Sequence, residues 1–355
     1  MAKHVIAKKI IVVGGGIMGC LSALALAERG CQVTIVERNI IAAQTSGESS
    51  WAGAGILFPL LPWMYKDAVN QLAMAGAKLY PALCQRLLAE TGIDPEYTQS
   101  GLQILPNCDE TVAINWCESY QIPVVKNTEG LFLPTIAQVR PPNLLQALRQ
   151  ILIQSGVKLI ENMQLEPLKN VENITGWRTN SGAVLEADAF VVTSGAWSFD
   201  LLKETSANLI IKPMRGQILL YENVPEIPKN IIYSNGFYLV PRRDGLLLAG
   251  STLEDVGFDA HTTDEVKQDL KIKAESILPS LKHAAIRKHW SGLRPGTPDN
   301  LPTIAPHPSI QNLYLNTGHF RYGLTMAPAS AALATALILG ETPKIDAMPY
   351  ACSLL

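Results

Sequence analysis

A glycine-rich segment near the start of the chain has the residue types and spacing that bind a nucleotide phosphate. Gly14, Gly16 and Gly19 fill the pattern Gly-x-Gly-x-x-Gly directly after a β-branched run from Ile10 to Val13. In such a motif the first glycine permits a tight turn, the second lets a pyrophosphate approach the backbone, and the third lets a helix pack on a strand. The free N–H groups at the start of the following helix favour the phosphate.

An acidic residue stands where the ribose of such a ligand would lie. Glu37 follows a second predicted strand, Gln32 to Val36, about 20 residues after the motif. A carboxylate there accepts hydrogen bonds from ribose hydroxyls. Strand, turn, helix, strand and acid together predict a dinucleotide site, but they do not choose between NAD and FAD.

Arg294 is a second candidate for a functional residue. It lies between Gly292 and Gly296 on a proline-rich stretch that we predict to be a turn, a restricted setting for a surface charge. A solvent-facing arginine in a loop is the alternative at this point.

Other segments have compositions suited to following a long ligand. The small, polar residues 42–56 are either a surface loop or a segment whose backbone N–H groups meet the ligand. A buried strand from Ala189 runs into Gly195, which suits closure over a dinucleotide but is a weak signal. A further helix is predicted from Met326 to Leu339, with Pro328 in its first turn.

The order of predicted elements indicates the fold. Helices are predicted over Asp67 to Leu88, from Pro141 to Gly156, and after the capping box Thr262-x-x-Glu265. The α/β pattern occupies both ends and the middle, with mainly antiparallel strands between. We therefore predict an α/β protein with a Rossmann-type domain at 1–80, 143–205 and 295–355. A mainly antiparallel substrate domain is predicted at 81–142 and 206–294.

Composition excludes several classes of protein. The 355 residues are 48% hydrophobic and 17% charged, with a formal net charge of −2. These values indicate a compact globular protein without the basic surface of a nucleic-acid-binding protein.

The spacing of the cysteines and histidines does not indicate a metal site. The six cysteines form no Cys-x-x-Cys motif and the six histidines are scattered, so free thiols and no metal site are expected. The apolar run from Ile10 to Ala27 is too glycine-broken for a signal peptide or a membrane span, which predicts a cytoplasmic protein without stable membrane insertion.

Two C-terminal motifs resemble those of a known family. The stretches His289-Trp-Ser-Gly-Leu-Arg-Pro-Gly-Thr297 and Thr317-Gly-His-Phe-Arg-Tyr-Gly-Leu-Thr-Met-Ala-Pro328 are similar to those of glycine oxidases of the thiamine pathway, in the D-amino-acid oxidase family of FAD enzymes. The stretch Tyr238-Leu-Val-Pro-Arg242 fits the same pattern. This resemblance selects FAD over NAD, and it implies non-covalent binding because no cysteine lies between Cys117 and Cys352.

The resemblance also implies which residues contact the cofactor. Besides the glycine motif and Gly195, the residues expected near the nucleotide are Ile17, Met18, Glu37, Arg38, Ser49, Ser50, Ala54, Gly55, Ile56 and Leu165. Residues expected near the isoalloxazine ring are His319, Phe320, Arg321, Tyr322, Gly323, Leu324 and Thr325.

The implied substrate site contains three catalytic residues. Arg294 is similar to the family's carboxylate-binding arginine, Tyr238 to a tyrosine that shares that carboxylate, and Arg321 to a residue beside the substrate amine. A guanidinium suits this task because its planar fork binds a carboxylate through two hydrogen bonds. Ile56 and Leu253, where some relatives have methionine, are expected to line the pocket, and Gly236 replaces a histidine.

The expected activity is oxidative deamination of glycine or another small amino acid by hydride transfer to flavin N5. The products would be an oxo acid, ammonia and hydrogen peroxide, with oxygen as oxidant. Alternatives are an amine dehydrogenase that reduces a quinone and a flavin-binding protein without amine turnover. A tRNA-modifying relative would need a basic surface. The sequence leaves open the preferred amine and whether the protein is a homo-oligomer.

Overall fold

The computed structural model describes residues 7–44, 47–106 and 108–354. In chain order the strands of this part of the chain are β1 (Lys9–Val13), β2 (Gln32–Val36), β3 (Gly47–Glu48), β4 (Leu102–Ile104), β5 (Val125–Asn127), β6 (Gly130–Leu133), β7 (Lys158–Ile160), β8 (Trp177–Arg178), β9 (Val184–Leu185), β10 (Ala189–Val192), β11 (Lys212–Glu222), β12 (Ile231–Ser234), β13 (Phe237–Pro241), β14 (Leu247–Gly250), β15 (Ala285–Gly296), β16 (Thr303–Pro306) and β17 (Leu313–Thr317). The α-helices are α1 (Ile17–Ala27), α2 (Ser49–Ala52), α3 (Asp67–Thr91), α4 (Glu110–Ser119), α5 (Pro141–Gln154), α6 (Ser198–Leu202), α7 (Asp264–Ile277) and α8 (Gly323–Leu339).

The first sheet positions the glycine-rich turn. Its described strands run in the order β16-β17-β10-β1-β2-β7, and every neighbouring pair is parallel except β16 with β17. The chain leaves β1 for β2 on one side and later returns to β10 on the other. The carboxyl end of β1 is therefore a switch point of the kind where parallel sheets bind ligands. The Rossmann-type prediction is confirmed.

The second sheet contains the strand of Arg294. Its described strands run in the order β3-β15-β11-β14-β13-β12-β4-β6-β5. The pairs are antiparallel apart from β12 with β4 and β15 with β3. The mainly antiparallel character of this part is thus as predicted. The predicted domain limits remain a prediction. The limit at residue 80 falls within α3, and β3, from the predicted Rossmann-type part, joins the second sheet.

Arg294 lies within the long strand β15, so the predicted turn is wrong. The prolines that suggested a turn are accommodated because Pro295 lies opposite Pro213 of β11. The N–H of Arg215 points away from β15, toward the carbonyl of Glu254. Pro213, two residues earlier, faces the same way, so the ladder between the two strands does not need its missing N–H.

Helix α8 is buried and contains Pro328. It begins at Gly323, so Pro328 lies inside the helix and not in the first turn as predicted. A proline there leaves the carbonyl of Leu324 without its helical donor. The hydroxyl of Tyr80 in α3 donates to that carbonyl at 2.5 Å. This bond from a neighbouring helix explains why α8 continues through the proline.

The core surrounds these helices. Helix α1 packs against α8, α5 and β2, and nearly every residue of α1 is buried. Among the described residues, one stretch, Phe320–Leu339, is long and apolar enough to span a membrane, and 67% of it is buried inside the protein. Such an all-round apolar surface is typical of a core helix.

Helix α7 begins one residue later than the predicted capping box requires. Thr263 is the N-cap, and its hydroxyl accepts from the N–H of Val266 at 3.4 Å. Its own N–H donates to the side chain of Gln217 at 3.2 Å. This tertiary hydrogen bond fixes Thr263 as the cap in place of Thr262.

Candidate active site

Two glycines shape the turn after β1 through close backbone approaches. Gly14 has φ +113°, and a side chain there would begin 2.9 Å from the backbone of Thr193. A side chain at Gly19 would begin 1.9 Å from the carbonyl oxygen of Gly14. Neither position admits a Cβ without a backbone shift, so both glycines hold β1, β10 and α1 together.

The middle glycine of the motif faces the cleft. A Cβ on Gly16 would meet only the hydroxyl oxygen of Ser50, at 2.9 Å. That oxygen accepts from the N–H of Ile17 at 3.0 Å. Gly16 thus leaves space for a ligand atom beside the first turn of α1, where a phosphate is electrostatically favoured.

The Glu37 carboxylate is fixed at the end of β2. One oxygen accepts from the N–H of Gly15 at 2.7 Å, and the other from the N–H of Asn39 at 2.9 Å. Each carboxylate oxygen has two lone pairs, so both can still accept a hydroxyl hydrogen. This arrangement suits a ribose.

A single cleft connects the nucleotide end to the guanidinium of Arg294. Its two portions share Gly16, Ser49, Ser50, Thr193 and Gly195. The predicted residues that line it are Gly14, Gly16, Ile17, Met18, Glu37, Arg38, Ser49, Ser50, Leu165, Gly195, Arg294, His319, Phe320, Arg321, Gly323 and Leu324. Thr45 and Ser46, in the predicted ligand-following segment, lie outside the described residues.

Other predicted residues are not among those that line the cleft: Gly19, Ala54, Gly55, Ile56, Tyr238, Leu253, Tyr322 and Thr325. The hydroxyl of Thr325 donates to the carbonyl of Ile56 at 3.1 Å, which ties the 54–56 segment to the start of α8. A side chain at Gly55 would begin 2.0 Å from the carbonyl oxygen of Val139. Gly55, Ile56 and Thr325 thus support the wall of the cleft.

Tyr322 is directed away from the cleft, whereas Leu253 lies at the surface. The Tyr322 hydroxyl lies 3.1 Å from the carbonyl of Leu60 and 2.6 Å from the hydroxyl of Tyr65, so this side chain packs toward the residues before α3. Leu253 is 43% exposed. The side chains of Thr252 and Glu254 on either side lie on the face of Arg215, so Leu253 lies on the same face as Ser251 and Arg294, and its pocket contact stays a prediction.

The glycine at position 236 has a backbone reason. It forms the turn between β12 and β13 with Asn235, and the two residues have φ +83° and +48°. Such two-residue turns favour Asn-Gly because both positions need positive φ. The turn therefore accounts for a glycine where some relatives have histidine.

The Arg294 guanidinium lies over the backbone of Gly216. A Cβ on Gly216 would fall 2.0 Å from Nη1, so the glycine makes the space for the side chain. Nη1 donates to the carbonyl of Thr252 at 3.1 Å, and Nη2 to the hydroxyl of Ser251 at 2.9 Å. Among the described residues, no carboxylate oxygen lies within 4 Å of this guanidinium. Arg294 is a cation held by neutral acceptors.

Tyr238 and Arg321 join Arg294. Burial lowers the pKa of Arg294, while a hydrogen bond and the nearby oxygen of Tyr238 act in the opposite direction. The charge of Arg321 lowers the pKa of Arg294 further, so the two guanidiniums lie in each other's field. The structure therefore brings the three predicted catalytic residues together.

His319 is buried and neutral. Its Nε2 lies 2.9 Å from the hydroxyl of Ser330 in α8. Burial lowers the pKa of His319 to about 3. At neutral pH this imidazole therefore carries no charge.

Thr193 and Trp197 are among the cleft residues that were not predicted. The hydroxyl of Thr193 donates to the carbonyls of Val13 and Gly14 at 3.0 and 2.9 Å, which binds β10 to the turn. The Trp197 ring carries the Arg38 guanidinium 3.6 Å from its centroid. Their position next to Gly195 was the available signal, but a strand end alone does not reveal which side chains turn inward.

The protein belongs to the FAD dependent oxidoreductase family, whose model matches residues 9–337. It is 39% identical to a glycine oxidase of Pseudomonas aeruginosa, over 97% of this chain and 98% of that relative. A bifunctional protein ThiO/ThiG of Trichormus variabilis is 32% identical over 94% of this chain and 53% of its own length. Among solved structures, a glycine oxidase from Geobacillus kaustophilus has a TM-score of 0.89 with 25% identity, over 98% of this chain and 99% of that one.

The residues present fit FAD. The open cradle at Gly16 and the start of α1 suit the pyrophosphate, and Glu37 suits a ribose. Leu165 borders the nucleotide end, and the residues 318–321, 323 and 324 border the other end beside Arg294. The described cysteines are free, and none is among the residues that line the cleft.

Proposed function

We propose that this protein oxidises the amino group of glycine or of another small amino acid, such as a D-amino acid or sarcosine. The observation that carries the proposal is the Arg294 guanidinium, which lies at one end of a nucleotide-binding cleft and lacks a described carboxylate partner within 4 Å. A desolvated cation without an anionic partner favours an anionic ligand. The similarity to glycine oxidases supports a substrate carboxylate as that ligand.

Arg294 has donors to spare for this carboxylate. A guanidinium carries five N–H groups, of which one donates to the carbonyl of Thr252, one to the hydroxyl of Ser251 and one to the oxygen of Tyr238. The remaining donors can hold both oxygens of a carboxylate, with Tyr238 as a further hydrogen-bonding group. This anchor fixes the Cα and the amine relative to the cofactor, and such orientation supplies much of the rate of an enzyme reaction.

Arg321 acts on the protonation of the substrate. A positive charge disfavours a second one nearby, so the two guanidiniums lower the pKa of a bound ammonium group. The neutral amine has the lone pair that forms the C=N bond as hydrogen leaves Cα. His319, with a pKa of about 3, does not need to serve as a base.

FAD supplies the two-electron oxidation when bound, by accepting the Cα hydrogen with its electron pair. The amine nitrogen then loses a proton to water, and the resulting imine is hydrolysed to an oxo acid and ammonia, or to an oxo acid and methylamine where the substrate is sarcosine. Oxygen takes up the two electrons and two protons to give hydrogen peroxide.

A panel of glycine, sarcosine, D-alanine and D-proline with a peroxide readout tests the proposal. Stoichiometric peroxide with at least one amine supports an oxidase. Bleaching of the flavin by these amines under anaerobic conditions without peroxide under air would favour the dehydrogenase alternative. No bleaching with any of them would refute amine oxidation.

We also infer a role in thiamine thiazole biosynthesis and a cytoplasmic location. For the assembly state, a homo-oligomer and a monomer are the two alternatives. The resemblance to ThiO proteins supports the first of these. Growth of a deletion strain without thiamine, cell fractionation, and light scattering on the purified protein test the three in turn.

A further inference from the structure

The segment after β14 extends the second sheet along β11. The N–H of Arg215 donates to the carbonyl of Glu254, and the N–H of Glu254 donates back, both at 2.9 Å. The N–H of Gln217 donates to the hydroxyl of Thr252 at 2.8 Å. Residues 251–254 therefore act as an extra strand on the edge of β11 that β15 does not occupy.

One face of β11 presents Arg294 to this segment. Arg294 pairs with Met214, and its side chain crosses over Gly216, two residues along the same face. Beyond Gly216 the guanidinium reaches the carbonyl of Thr252 and the hydroxyl of Ser251. The orientation of Arg294 thus depends on where Ser251 and Thr252 lie.

The opposite face of β11 holds the same segment through Glu254. Arg215 and Gln217 lie on this face because they alternate with Gly216. The Glu254 carboxylate accepts from Arg215 at 2.7 and 3.2 Å and from Gln217 at 3.1 Å. It also accepts from the hydroxyl of Thr252 at 2.5 Å. The Arg215 side chain is only 5% exposed.

We infer that Glu254 is a positioning residue for Arg294. Its hydrogen bonds fix the backbone of residues 251–254 from one face of β11, and that backbone fixes the substrate-binding guanidinium on the other face. Buried ion pairs contribute little net stability, but breaking one leaves an uncompensated charge and disturbs local geometry. The inference rests on the proposed role of Arg294 in binding a carboxylate.

The test uses the holoenzyme and acetate, which has the carboxylate of the substrate but no amine. Acetate binding is followed by the change in flavin absorbance, and kcat and KM for glycine are measured by peroxide release. We expect Glu254→Gln to weaken acetate binding and raise KM about tenfold while kcat stays within about threefold, because small displacements of a binding group are costly. A merely structural defect would lower kcat or flavin content without this split.

Glu96→Gln is the matched control. The Glu96 side chain is 18% exposed, against 19% for Glu254, and it also pairs with an arginine, Arg140. Unchanged acetate affinity in Glu96→Gln with weakened affinity in Glu254→Gln supports the inference. Wild-type acetate affinity in a flavin-containing Glu254→Gln protein overturns it.

Thr252→Val decides the question if Glu254→Gln does not fold. The valine removes the hydroxyl that links Glu254 to Gln217 but keeps the carbonyl that accepts from Arg294. Weaker acetate binding supports the inference, and unchanged binding refutes it. If the wild type oxidises no amine but acetate follows this pattern, the proposed function fails while the positioning role stands.

Discussion

Replacement of Arg294 by alanine removes the cation on which carboxylate binding depends. The guanidinium is desolvated and lies among neutral acceptors, so the substrate carboxylate would be its main anionic partner. Loss of one partner of a buried, hydrogen-bonded charge pair costs about 2–5 kcal/mol or more. A value of about 3 kcal/mol corresponds to a roughly 150-fold rise in KM.

The assay is peroxide release over a range of glycine concentrations, together with the ratio of flavin to protein absorbance. Arg287→Ala is the control, because Arg287 lies on the same strand and its side chain is 58% exposed. We expect the control to keep the wild-type KM. A KM within twofold of wild type in a yellow Arg294→Ala protein would refute the assignment of the substrate site.

Three further predictions concern the walls of the cleft. Gly216→Ala should raise KM with flavin retained, since the new Cβ would displace the Arg294 guanidinium; an unchanged KM would contradict the packing described. Trp197→Ala should weaken FAD binding roughly 2- to 30-fold, the range of a cation–π contact such as that with Arg38, as measured by fluorescence titration of the apoprotein. Burial of neutral His319 should lower the free energy of unfolding in acid. The pKa of His319 is about 3 in the folded protein and about 6.5 in the unfolded chain. Below pH 6.5 the unfolded chain therefore binds a proton that the folded protein does not bind. Between pH 8 and pH 5 this costs about 2 kcal/mol, and urea unfolding of His319→Gln should lack that part of the loss.

Local patterns determine the first βαβ unit. The requirement for glycine at positions 14 and 19 is steric and local in sequence, because turn, strand and helix lie within about 25 residues. The end of α1 before Gly30 and the proline at the start of α5 follow from equally local rules. The two C-terminal motifs carried the assignment of FAD, which periodicity alone left open.

Arrangements that depend on distant residues could not be read in this way. Arg294 looked like a turn residue because glycine and proline surround it, and only the pairing of β15 with β11 made it part of a strand. Helix α8 passes through Pro328 because a tyrosine 244 residues from Leu324 supplies the missing hydrogen bond.

The sequence by itself determined the phosphate-binding turn, the class of fold and about half of the residues that line the cleft. The tertiary structure decided which side chains face the ligand, as with Tyr322, which turns away, and Trp197, which turns in. It also joined Glu254 to Arg294 through both faces of one strand. The physical reason is that the need for glycine in a turn is set by residues close in sequence. The direction of a side chain is set by packing and hydrogen bonds with segments far along the chain.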